Sequence, residues 1–138
     1  MKTKRQVAGF VPYRKNASDQ YEFFLQMRDE HAPVHPNIFS VFGGGIETGE
    51  NLLNALYREV EEELDYRPKH LEYLSDFETG YANFLVFIEE VGGDFESRVT
   101  VHEGKYGAFL SFDEIVKSDI VSPIASLIAE AMHWYFKK

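Results

Sequence analysis

The chain contains no cysteine. That absence excludes disulfides, cysteine nucleophiles and thiolate metal sites, and it fits a cytoplasmic protein. No apolar run approaches the ~20 residues that a membrane span requires; Phe84 to Ile88 is a strand-sized run. The basic stretch Met1 to Arg5 is followed by Gln6 to Tyr13, too short and interrupted for a signal peptide. Repeats, low-complexity tracts and linkers are missing as well. Positive charge is scarce: 14 Lys and Arg stand against 23 Asp and Glu, a formal net charge of −9. This excess argues against a duplex nucleic-acid partner, which selects a basic face. It does not exclude a small anionic substrate, because carboxylates loaded with cations invert the local field. What is present is 138 residues, 44% hydrophobic and 15% aromatic. That suffices for one domain, residues 1–138, with a real core.

Val7 to Pro12 and Tyr21 to Met27 read as strands, separated by the turn residues Asn16-Ala17-Ser18-Asp19. His31 to Pro36 is a proline-bearing loop, and Phe39 to Phe42 is a short apolar piece entering Gly43, Gly44 and Gly45. Asn51 to Leu64 reads as a helix whose apolar stripe is Leu53, Leu56, Val60 and Leu64. Further strands are expected at Leu71 to Phe77 and Tyr81 to Glu89, with shorter ones at Arg98 to Val101 and Ala108 to Phe112. Ser111-Phe112-Asp113-Glu114 has the spacing of a capping box and opens a short helix. Ser122-Pro123 opens a final helix with the stripe Ile124, Leu127, Ile128, Ala131 and Tyr135. Helices interspersed with short strands predict a mixed sheet packed between helices.

Four glutamates, Glu59, Glu61, Glu62 and Glu63, crowd the first of these helices. Like charges at i, i+3 and i+4 cost a helix roughly 0.2–0.5 kcal/mol per pair. At ~100° per residue, Glu59, Glu62 and Glu63 share an arc beside the apolar stripe, while Glu61 points elsewhere and is a solvated charge. Carboxylate oxygens are what a hard divalent cation takes, commonly sharing its shell with a substrate's phosphates. The glycines just upstream allow close backbone approach and can aim N–H donors at a phosphate. Arg58 sits between loop and cluster, where its planar fork can hold Glu47 or loop carbonyls; a plain i,i+4 pair with Glu62 is the alternative.

Read from Gly44, the chain gives Gly44-x5-Glu50-x7-Arg58-Glu59-Val60-x-Glu62-Glu63-x-Asp65-Tyr66. This resembles the signature of the Nudix hydrolase family, Gly-x5-Glu-x7-Arg-Glu-U-x-Glu-Glu-x-Gly-U with U bulky and apolar. The one departure in its specified polar and glycine positions is Asp65 for the last glycine. The entry Gly43-Gly44-Gly45-Ile46-Glu47-Thr48-Gly49-Glu50 fits as well. Phe42 stands where many relatives carry proline. Aspartate tolerates the left-handed backbone that the missing glycine would adopt, so the expected cost is stability and not chemistry.

The resemblance implies an α/β/α sandwich and a pyrophosphohydrolase acting on a nucleoside diphosphate derivative. It implies Mg²⁺, with Mn²⁺ as the other candidate, held by Glu59, Glu62, Glu63, Glu103 and the backbone of Gly44. Glu103 enters because His102-Glu103-Gly104 resembles a downstream family pattern, a glutamate before glycine near the metals. Catalytic roles then fall to Arg58, Glu59, Glu62, Glu63 and Glu103, with Glu59 and Glu103 both candidates for the general base. Arg28 resembles a phosphate-contacting arginine; with Gly43, Gly44, Gly45 and Tyr81 it makes the substrate-binding set. Tyr81 lies where dinucleoside polyphosphatases of the family often place a tyrosine, which tilts the substrate towards nucleoside or dinucleoside polyphosphates. Replacing Glu62 or Glu63 by Gln is expected to cost at least ~10²-fold in kcat. A homodimer is one assembly the family allows. The other reading is a non-catalytic Nudix-like module that binds a nucleotide without turning it over. His31 and His35 lack metal-ligand spacing and read as surface or substrate-proximal. Tyr13, Phe84, Phe109 and Trp134 could stack a base, yet strand and helix spacing assigns most aromatics to the core.

Overall fold

Strand β1 (Arg5–Lys15) organises the sheet in a computed structural model that describes residues 4–137. Met1, Lys2 and Thr3, part of the basic N-terminal stretch, lie outside the described residues, as does Lys138. Along one edge β1 pairs in parallel with β6 (Ala82–Glu90), from Arg5 opposite Ala82 to Tyr13 opposite Glu90. Along the other edge it has two antiparallel partners in succession. Val7 to Phe10 pair with β4 (Phe42–Gly45), and Tyr13 to Lys15 pair with β2 (Tyr21–Met27). Pro12 lies where the partner changes, a position that tolerates a missing N–H. Beyond β2 come β3 (Phe39–Ser40) and β7 (Tyr106–Ser111), and β5 (Glu72–Glu78) closes the far side against β6. The result is a mixed, seven-stranded sheet.

Alternation along β1 splits its side chains between two cores. Ala8 and Phe10 face α1 (Leu52–Leu64), together with Phe24, Phe42, Phe87 and Phe95, the last from the short α2 (Phe95–Arg98). Val7, Val11 and Tyr13 face α4 (Pro123–Tyr135) and α3 (Phe112–Lys117), together with Phe23, Leu25, Val86 and Ile88. Burial on both faces is why β1 and β6 read as nearly continuous apolar runs. Each fully buried Phe or Ile contributes roughly 1.5–3 kcal/mol relative to an exposed one. The expected α/β/α sandwich with a mixed sheet between helices is the fold observed.

Both predicted caps are formed. Ser111 Oγ accepts from the Glu114 N–H at 3.1 Å while Glu114 Oε1 accepts from the Ser111 N–H at 2.8 Å. Ser122 Oγ accepts from the Ala125 N–H at 3.2 Å, with Pro123 opening α4. Asp65 takes the left-handed conformation (φ 52°, ψ 44°), and its N–H reaches the Glu61 carbonyl.

Three sequence expectations are corrected. Leu53 is 48% exposed, and α1 instead buries Ala55, Leu56, Val60, Glu63 and Leu64. The face of α4 is rotated: Ile124, Ala125, Ile128, Ala129 and Met132 are buried, while Leu127 and Tyr135 are exposed. Ala125 and Ala129 let the helix lie close to the sheet, and the Tyr135 hydroxyl donates outward to Glu72. Arg98 to Val101 forms no strand. Arg98 ends α2, and the Thr100 and His102 N–H groups donate to the Leu64 and Glu63 carbonyls at 3.0 and 2.7 Å. These carbonyls lie in the last turn of α1, where a helix leaves its acceptors without internal partners, so the segment caps a helix instead of extending a sheet.

Candidate active site

The site begins with backbone geometry that only glycine allows. Gly43 has φ 134°, and a Cβ there would stand 2.0 Å from the Ala8 carbonyl oxygen. Strand β4 therefore lies against β1 closely enough for the Gly43 N–H to donate to both Glu63 carboxylate oxygens, at 3.0 and 3.2 Å. A Cβ on Gly44 would meet the Glu59 carboxylate at 2.4–2.5 Å. The loop thus leaves open a side-chain-free cradle directly beside Glu59.

Arg58 is the organiser. Its Nε and Nη2 form a fork onto Glu50 at 2.7 and 3.0 Å, and Nη2 also donates to the Gly45 carbonyl at 3.0 Å. Nη1 donates to Glu59 at 2.9 Å and lies 3.5 Å from Glu62 and 3.8 Å from Glu47. The bidentate bond to Glu50 is the strongest element of this network, since planar, charge-assisted pairs combine energy with orientation. It pulls the Glu50 carboxyl down to about 2, with the bond from Arg58 as the main cause and the Glu47 backbone N–H second. Arg58 thus holds the Gly45 carbonyl, and its contacts with Glu62 and Glu47 are the longest of the set. Glu50, which the sequence motif specifies, emerges as the residue that fixes Arg58.

Glu63 is only 2% exposed. Burial first, then the Glu103 and Glu59 carboxylates, raise its pKa far above the ordinary carboxylate value, and the Gly43 N–H only partly offsets this. Glu103 is exposed as a residue, yet partial burial of its carboxyl end and the Glu59 charge raise its pKa too, while Arg28 opposes the shift. Its backbone is anchored on two sides: Gln26 donates to the Glu103 carbonyl at 2.9 Å, and the neighbouring His102 N–H reaches α1. Glu59, Glu63 and Glu103 are thus electrostatically coupled neighbours although Glu103 comes from a distant loop. Glu62 stands apart, its side chain 60% exposed.

A cleft of about 350 Å³ lies over this cluster, bounded by Gly43 to Gly45, Glu59, Glu103, Arg28 and Tyr81. Arg28 follows β2, and its Nε donates to the Val34 carbonyl at 2.7 Å. Tyr81 is 47% exposed at the mouth, edge-on to Phe84. His35 lines the same cleft, whereas His31 lies on the surface beside Glu30. Arg5, from the first residue of β1, lines the cleft as well. Sequence reading missed it because only pairing of β1 with β4 brings it to the glycines.

The donor chemistry suits a hard divalent cation. Three carboxyl groups lie together, the cradle at Gly44 has no side chain, and among the described residues the buried Glu63 carboxyl has no ion pair. The ligands are not drawn into a finished shell: among the described residues no three His, Asp or Glu side chains stand in a metal-ligating group. Also among the described residues, no helix is long and apolar enough to cross a membrane.

Comparison with known proteins agrees with this geometry. The family model for the NUDIX domain matches residues 3–131. No curated protein matches the chain by sequence. Among solved structures, the NUDIX domain of Shewanella oneidensis NrtR complexed with ADP ribose superimposes with a TM-score of 0.79 at 12% identity, covering 99% of this chain and 90% of that one. A MutT protein from Methanosarcina mazei Go1 gives 0.69 at 19% identity, with 100% of each chain covered. A C. elegans Ap4A hydrolase in a binary complex gives 0.68 at 19% identity, covering 96% and 98%. At these identities the superpositions speak for the fold, and the match over residues 3–131 speaks for the family. The chain belongs to the Nudix hydrolase family.

Proposed function

We propose that the protein is a divalent-metal-dependent pyrophosphohydrolase that cleaves a diphosphate linkage in a nucleoside diphosphate derivative, with nucleoside or dinucleoside polyphosphates favoured. The observation that carries this reading is that Glu59 and Glu103 share one cleft with Arg28 and a glycine cradle, with the buried Glu63 beside both carboxylates. Glu59, Glu63 and Glu103, with Glu62 and the Gly44 backbone, would hold Mg²⁺ or Mn²⁺. When bound, such an ion neutralises phosphate charge and lowers the pKa of a coordinated water.

The chain's own residues supply position and proton acceptance. Arg58, locked by Glu50, fixes the Gly45 carbonyl and the Glu59 carboxylate relative to each other, so the loop and helix keep one geometry. Arg28 lines the cleft as a cation for a phosphate. Tyr81 offers an exposed ring at the mouth where a base could rest. Glu103 is the better placed general base of the two candidates: the Glu59 carboxylate is committed to Arg58, whereas burial and neighbouring charge make Glu103 hold a proton more tightly than an ordinary carboxylate.

A nucleotide panel incubated with Mg²⁺, followed by phosphate and nucleoside monophosphate release, tests the proposal. Turnover should fall at least ~10²-fold in Glu62→Gln or Glu63→Gln. Near-wild-type rates in both variants would sink the assignment. The incomplete ligand shell also accommodates a second reading, a nucleotide-binding module without catalysis. Tight binding of a nucleotide with no product over the whole panel would select it.

A further inference from the structure

Arg58 is surrounded by carboxylates, with Glu47, Glu50, Glu59 and Glu62 all within 4 Å. Arg5 is in the opposite condition. It is exposed, lines the cleft, and among the described residues its guanidinium has neither an ion pair nor a hydrogen bond. In a chain of net charge −9 a cation left without a carboxylate at a cleft wall is conspicuous. The backbone explains how it comes to lie there. Gly45 pairs with Val7, two residues along β1 from Arg5, and a Cβ on Gly45 would stand 2.9 Å from both Nε and Nη2 of Arg5. The Nε–Nη2 edge of the guanidinium therefore occupies the space that a side chain on Gly45 would fill. The carbonyl of the same glycine is held by Arg58, so the surface under Arg5 is rigid. On the strand's other edge Arg5 pairs with Ala82, next to Tyr81.

We propose that Arg5, lying across Gly45, is a specificity-determining residue that binds an additional anionic group of the substrate, so the cleft prefers nucleotides with three or more phosphates over diphosphate esters. The inference rests on the hydrolase reading above and names its substrate class. Arg28 enters the same cleft from the end of β2, its Nε spent on a backbone carbonyl; its charge acts on Glu103, but among the described residues it forms no ion pair within 4 Å. Two arginines from different strands can each take a phosphate with charge-assisted bonds. A diphosphate ester has too few anionic groups to use both while its linkage lies over the glutamates. A triphosphate or longer chain has a group to spare.

The test compares wild type, Arg5→Ala and Arg5→Lys with Mg²⁺ present. One readout is kcat/KM for a nucleoside triphosphate and a dinucleoside tetraphosphate relative to a nucleoside diphosphate sugar. The other is calorimetric binding of inorganic tripolyphosphate relative to pyrophosphate. Arg5→Ala should lower both ratios at least tenfold, with Arg5→Lys recovering part of the loss. A purely structural role would depress all three substrates in parallel; unchanged ratios overturn the inference, even if the enzyme remains a good hydrolase. Arg5-dependent preference for tripolyphosphate in a protein that hydrolyses nothing would uphold the inference while removing the hydrolase reading. Wild type that does not discriminate tripolyphosphate from pyrophosphate overturns the inference too.

Discussion

The pKa values of two glutamates are displaced in opposite directions because their surroundings differ. Glu50 faces a guanidinium and Glu63 faces other carboxylates in a buried pocket. For Glu50 the folded pKa is lowered, so its contribution to stability is present above the ordinary carboxylate value and lost as pH falls through about 2. For Glu63 the folded pKa is raised, so its contribution is fully present below the ordinary value and is lost as pH rises through the raised one. The metal-free protein should therefore show a falling Tm from pH 5 to pH 8, and Glu63→Gln should flatten that slope. An equally steep fall in the variant would remove Glu63 as the cause. The motif spacing identified Glu63, but not its burial; that depends on β4 bringing Gly43 over the end of the helix, a contact between residues 20 apart. Arg5 was illegible for the same reason.

Helix ends carry the next level of organisation. Asp65 holds a conformation that favours glycine, with its side chain exposed. Replacing it by Gly, the residue the family signature specifies, should stabilise the protein by up to about 1 kcal/mol in denaturant unfolding and leave kcat alone. A loss of stability would show that the aspartate makes a compensating contact. At the start of α4, Ser122 is fully buried; it caps the helix and shares a 3.0 Å hydrogen bond with Ser40. Ser122→Ala should cost about 1–2 kcal/mol, because it removes a cap and strands a buried hydroxyl. A chemical melt within 0.3 kcal/mol of wild type would contradict this. These caps were readable from local spacing alone. The apolar faces were readable only in part. Leu53 and Leu127 satisfy helical periodicity yet point outward, since the sheet chooses its face by closeness of fit, and alanines at 125 and 129 permit it. The segment after α2 failed as a strand because its N–H groups found acceptors in a helix, a pairing that no local pattern announces.

For the molecule as a whole, the proposed cation site would make the ion part of the folding balance, because Mg²⁺ bound only to the folded chain would stabilise it by mass action. Because the ligands must be ionised to bind, the Mg²⁺-induced rise in Tm should be larger at pH 8 than at pH 6. Thermal melts with and without Mg²⁺ at both pH values measure this; an equal rise at both, or none, would separate the ion from the carboxylate cluster. The sandwich itself was legible because both faces of β1 and β6 are apolar and the signature from Gly44 to Tyr66 marks one helix unambiguously. The strand order was not. The exchange of β1 from β4 to β2 around Pro12 depends on long-range pairing, and that exchange opens the cleft's wall.

The closing turn of α1 has a double duty, since its last carbonyls hold the segment that delivers Glu103. Glu63 and Glu103, 40 positions apart in the chain, are thereby moored to one short stretch of backbone. Fraying there would slacken both at once, so warming should extinguish turnover before the sheet lets go. Faster amide exchange at Thr100 and His102 would be the first sign.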